Sequence, residues 1–159
     1  MRQKFRIGNY VEHGVSCQPD KTQKSVAHIH RYFHLEKPTG AATGKLLTDN
    51  HGQDYILIHD RTLPNYEVYI GLIANVTLDM IKMDESTHPV TGLMTRRPQL
   101  VPTPTPACLE QVEAQDDKGF NVQVSRYYVA GVLDADTKVN GKTIKNLQTT
   151  LGITQFEIA

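Results

Sequence analysis

The stretch YEVYIGLIANVTLDM, residues 66 to 80, alternates along its whole length and constrains the fold class more than any other feature of the chain. Tyr66, Val68, Ile70, Leu72, Ala74, Val76, Leu78 and Met80 fall on one side. Glu67, Tyr69, Gly71, Asn75, Thr77 and Asp79 fall on the other, where Ile73 is the clear apolar exception. A period of two is the signature of a strand with one buried face. A helix would need an apolar stripe every 3.6 residues, and the β-branched residues here would lose rotamer freedom in one. The segment therefore predicts an unusually long strand with one buried side.

The same period recurs in FNVQVSRYYVAGVL, where Phe120, Val122, Val124, Tyr128 and Ala130 share a face. Upstream, ACLEQVEA is joined to it by the turn-rich QDDKG, which predicts a hairpin. Shorter strands fit KFRIGNYV, DYILIHD at 54 to 60, and TQFEI near the end. Asn140-Gly141 suits a tight turn because both residues tolerate positive φ. TIKNLQTTLG carries the pattern of a helix: Thr143 as cap, Ile144, Leu147 and Leu151 at i, i+3 and i+7, and Gly152 as terminator. Residues 84 to 106 contain five prolines and no clear period, which predicts an extended proline-rich loop or arm, stiff toward its PQLVPTPTP end. Loops of such length are usually functional or reach toward a partner.

A chain of 159 residues fits one domain with its own core. The expected fold is all-β: a single β-rich domain over residues 1–159, a sandwich or barrel of about six or seven strands, with one short C-terminal helix. No segment approaches the roughly 18 consecutive apolar residues of a membrane span. MRQKFRIGNYVEHG lacks the apolar core of a secretory signal, so a cytoplasmic or otherwise intracellular protein is expected, with no membrane partner. Cys17 and Cys108 have no CxxC or zinc-ribbon spacing and are expected to be free thiols. Seventeen basic residues balance seventeen acidic ones, and that neutrality weighs against binding driven by phosphate neutralisation.

The most chemically loaded stretch is SVAHIHRYFHLE, residues 25 to 36. Read as a strand, it sends Ala27, Ile29, Phe33 and Leu35 inward with Arg31 as a misfit, and His28, His30, Tyr32, His34 and Glu36 to the opposite face. Read as a helix, it makes His30 and His34 i, i+4 neighbours. A metal site wants two or three imidazoles converging on one ion, so His28 and His30, joined by His59 or His51 from a neighbouring strand, are the candidate ligands for a divalent cation. His28-Ile29-His30 resembles the central motif of the HUH endonuclease family. That resemblance implies paired histidines holding an ion that polarises a scissile phosphate. The family's nucleophilic tyrosine with a nearby helical lysine has no counterpart, since Tyr66, Tyr69, Tyr127 and Tyr128 fall in predicted strands. Alternatively, Arg31 and Tyr32, extended by Arg126 and Tyr128, form the basic and aromatic mixture of an OB-like single-strand binder. The plainest alternative is a solvent-facing strand without a ligand.

Other motifs are incomplete. GAATGKLLT has three residues between Gly40 and Gly44, and Leu46 follows Lys45, so it lacks both the spacing and the hydroxyl of a phosphate-binding P-loop. AGVLDAD, at 130 to 136, resembles the third motif of the trimeric dUTPase family over seven residues, without that family's earlier motifs. No nucleophile elbow, HExxH or dinucleotide fingerprint is present. The expected function is therefore a non-enzymatic binding or assembly protein without a cofactor, such as a virion-type structural protein or an accessory subunit. Its expected partners are protein subunits, its own copies or others. The alternatives are a histidine-metal phosphoesterase or nuclease acting on nucleic acid, and a single-stranded nucleic-acid binder.

Overall fold

The computed structural model describes residues 1–18 and 30–158, and these are all-β, with no helix among them. Fourteen strands occur among the described residues: β1 (Gln3–Ile7), β2 (Tyr10–Cys17), β3 (His30–Glu36), β4 (Leu46–Thr48), β5 (Asp54–Thr62), β6 (Tyr66–Ile73), β7 (Val76–Leu78), β8 (Met80–Thr87), β9 (Met94–Leu100), β10 (Thr105–Gln115), β11 (Asn121–Ala130), β12 (Lys138–Val139), β13 (Lys142–Thr150) and β14 (Ile153–Ile158). The excess over the expected six or seven comes partly from the short strands β4, β7 and β12 and partly from β8, β9 and β13, which form where a loop and a helix were expected. The expected alternation at 25 to 29, including His28 and Ile29, lies outside the described residues.

Six strands close a barrel in the order β1-β2-β3-β6-β5-β4. Its interior is filled by Phe5, Ile7, Phe33, Leu35, Leu47, Tyr55, Leu57 and Tyr69. Phe33 meets Phe5 and Tyr55 edge-to-face at 5.3 and 4.8 Å between ring centres, the arrangement that ring quadrupoles favour. Gly71 makes this possible, because a Cβ there would lie 2.5 Å from the Phe33 ring. The remaining strands form an eight-stranded sheet, β7-β10-β11-β14-β13-β12-β8-β9. β7 ends and β8 begins one residue apart, so the sheet must curl until its first and seventh strands meet at Asp79. Inside the curl lies a second core of Leu78, Met80, Ala107, Val129, Leu133, Val139 and Phe156. Ile56, Leu72 and Cys108 make a third cluster where barrel and sheet meet.

The long strand expected at 66 to 80 is three strands in two sheets. β6 belongs to the barrel, while β7 and β8 belong to the curled sheet. At the crossing, the Asn75 amide donates to Leu109 O at 3.1 Å and its Oδ1 accepts from Leu109 N at 2.8 Å. One side chain thus replaces a strand residue where the ladder is interrupted. Nor is only one face buried: Tyr69 and Ile73 pack in the barrel, whereas Leu72 packs toward the second sheet. Ile73 is apolar because both faces of β6 are covered.

The expected C-terminal helix is instead a strand. β13 pairs with β14 with a register shift between Lys145 and Gln148, and Asn146 takes φ of 53°. The bulge inserts an extra residue, so Ile144 and Leu147, three apart, both reach the second core. Helical spacing was therefore imitated by a bulge. Leu151 and Gly152, both at positive φ, form the two-residue turn between Thr150 and Ile153. The Asn140-Gly141 turn and the hairpin through residues 116–120 form as the sequence predicts.

The expected proline-rich loop at 84 to 106 is mostly a hairpin. β8 and β9 pair from Ile81↔Leu100 to Thr87↔Met94. Pro98 is tolerated because of its register. Val101 N bonds Met80 O and His88 N bonds Leu93 O, so hydrogen-bonded pairs fall at every second position and Pro98, opposite Met83, lies between them. Its missing donor faces the open edge of β9, where a proline removes a template for unwanted pairing. No helix among the described residues is long and apolar enough to cross a membrane.

Candidate functional site

β3 alternates as the sequence predicts over its described part. Phe33 and Leu35 are in the barrel core, while His30, Tyr32, His34 and Glu36 occupy the outer side. Arg31 stands opposite Gly71 on the inner side and reaches the barrel mouth beside Phe5 and Tyr55. The four candidate nucleic-acid residues are therefore divided. Arg31 faces inward, Tyr32 outward, and Arg126 and Tyr128 share the face of β11 that Cys108 and Tyr128 turn toward the barrel.

The candidate metal ligands are divided too. His30 pairs with Leu72 and His59 with Tyr69, and these two β6 residues point to opposite faces. A cross-strand pair shares a face, so the imidazoles of His30 and His59 do not converge. His59 Nε2 instead lies 2.9 Å from Glu67 Oε2, which also accepts from the Thr62 hydroxyl at 2.7 Å. The Thr62 bond first, and then the His59 bond, hold the Glu67 carboxyl below its ordinary value. Among the described residues no group of three His, Cys, Asp or Glu side chains could hold a metal; His28 lies outside them.

His30 and Tyr128 do meet, in a cleft of about 330 Å³ between barrel and curled sheet that is also lined by Ile58, Leu72, Glu110 and Ile153. The Tyr128 hydroxyl donates to Glu110 Oε2 at 2.9 Å. Burial first, and then that bond, raise the Tyr128 pKa, while the hydrogen bond from Arg126 opposes the rise. The phenol is thereby held neutral, with its proton committed to Glu110. This is a structural hydrogen bond at a seam, and Arg126 beside it has a buried Nε with no partner.

The β8–β9 hairpin is largely exposed beyond its base at Met80. All seven residues of β9 are exposed, and at the far end Val90, Leu93 and Met94 are 86%, 69% and 64% accessible. Arg96, midway along, bonds Glu85 Oε1 through Nε at 3.2 Å and also pairs with Asp136 of the body. The arm is thus held in one direction while its apolar end stays uncovered. The sequence marks this segment by its prolines, but the tip residues Val90, Leu93 and Met94 were not distinguishable from loop without the strand pairing.

Comparison with family models, with curated proteins and with solved structures found no match for this chain. The seven-residue and three-residue resemblances are accordingly not extended to a family.

Proposed function

We propose that the chain is a non-enzymatic assembly protein that engages neighbouring protein subunits, its own copies first, through the β8–β9 arm. The observation that carries this reading is the arm's uncovered apolar tip, Val90, Leu93 and Met94, set beyond both cores. A two-stranded hairpin is marginal in water on its own, and clustered exposed apolar side chains mark interaction surfaces. The pairs from Arg96 to Glu85 and Asp136 support the same reading, because an arm already oriented loses less freedom when it docks. Formal neutrality at pH 7 favours a protein surface over a phosphate backbone as the partner.

Sedimentation velocity over a concentration series tests the reading. The native chain should sediment as an oligomer, and the variant Val90→Ser, Leu93→Ser, Met94→Ser as a folded monomer. A native chain that stays monomeric throughout removes the proposal.

A further inference from the structure

The mouth of the barrel carries a second feature, independent of the arm. A space of about 290 Å³ is lined by Gln3, Phe5, Ser16, Arg31, Asp49, Asn50, His51 and Tyr55. Arg31 is half-buried there, and its one hydrogen bond among the described residues runs from Nη2 to Ser16 Oγ at 3.2 Å. It forms no ion pair among the described residues, although a partly buried guanidinium gains from an anionic partner. The Asp49 carboxylate in the same space is already committed. Its Oδ1 accepts from the backbone of His51 at 2.8 Å and of Gln53 at 3.0 Å, and its Oδ2 accepts from the Tyr55 hydroxyl at 3.1 Å. Ser16 is committed as well, since its hydroxyl donates to Gln3 Oε1 at 2.9 Å.

What remains is a guanidinium with five donors, one of them used among the described residues, beside an aromatic floor of Phe5 and Tyr55 that keeps the local dielectric low. Asn50 and His51 supply further polar groups at the rim. We infer that the barrel mouth binds the oxyanion of a small molecule, a phosphate or a carboxylate, on the fork of Arg31. A planar guanidinium matches either group with two parallel bonds, which a lysine ammonium cannot do. Closure of the barrel behind the site explains why only one end of such a ligand would enter.

The test is a titration of the full chain at low salt, followed by ¹H–¹⁵N NMR, with inorganic phosphate, acetate and a short single-stranded oligonucleotide as separate probes. Phosphate or acetate should give saturable shifts at Ser16, Arg31, Asn50 and His51. Arg31→Gln should weaken binding about tenfold or more, the usual effect of losing a hydrogen bond to a charged group. Arg31→Lys, which keeps the charge, should also bind more weakly and guards against a Gln variant that does not fold. Absence of saturable shifts with both small anions, or shifts unchanged in Arg31→Lys and Arg31→Gln, would overturn the assignment. So would binding of the oligonucleotide alone, because the site would then belong to a nucleic-acid backbone.

Discussion

The barrel and the curled sheet solve the same problem in opposite ways. The barrel closes where β1 meets β4 at Arg6 and Thr48, with an aromatic cluster at its centre. The curled sheet nearly closes through β7 and β8, then continues into β9, whose outer edge has no strand neighbour among the described residues. Closure removes the row of free N–H and C=O groups that recruits foreign strands. The sheet keeps that row but interrupts it at Pro98 and moves its apolar side chains to the tip. The difference is one of covering: the barrel closes on an aromatic core, whereas the curled sheet leaves an edge strand and an apolar tip exposed.

Breaking the barrel should have the largest effect. Phe33 is fully buried between Phe5 and Tyr55, so Phe33→Ala should cost about 3–5 kcal/mol in denaturant unfolding. The triple serine change at the arm tip, measured at a dilution where the native chain is monomeric, should stay within about 0.5 kcal/mol, as exposed positions do. Equal losses at the two places would erase the distinction.

A smaller effect should follow from the barrel mouth. Burial first, and then Asp49, push the Tyr55 phenol up to about 12 from 10.0, with Arg31 opposing. A raised pKa means that the fold favours the neutral phenol. Its contribution is therefore complete below pH 10 and declines as pH rises toward 12. Tyr55→Phe should flatten that alkaline limb of the stability curve, read from thermal melts across the range. A limb unchanged by the substitution would place its origin elsewhere.

The smallest effect concerns reactivity without any change of fold. Cys17 is exposed at the end of β2, whereas Cys108 is buried at the seam, its thiol pushed up to about 12 by burial and then by Glu110. A disulfide-exchange reagent should titrate one thiol quickly in the native protein and both in denaturant. Two fast thiols would mean that the seam between barrel and sheet opens readily.

Much of this was legible in the sequence, and what was not has physical causes. Alternation located β3, β5, β10, β11 and β14, and the glycine-containing turns located their hairpins. Alternation cannot say which of two covered faces meets which neighbour, so β6 read as one-sided, although Ile73 on the supposed outer face was the sign. Nor can it see a chain leaving one sheet for another, which here depends on Asn75 bridging to Leu109. The bulge at Asn146 turned a period of two into an apparent i, i+3 spacing for Ile144 and Leu147, and produced a false helix. Arg31 stood out as a polar residue at an inward position, and the barrel mouth gives that misfit a location. His30 and His59 could be proposed as partners but not placed, because their relation depends on register with Leu72 and Tyr69.

The proposed contrast between a closed barrel and an arm that docks neighbouring subunits is tested most directly by the mass of the protein in solution. Light scattering coupled to size exclusion should give a multiple of 17.9 kDa for the native chain. The Val90→Ser, Leu93→Ser, Met94→Ser variant should give 17.9 kDa and remain folded by circular dichroism. A native mass of 17.9 kDa at every concentration, or an oligomer indifferent to the three substitutions, would contradict the account.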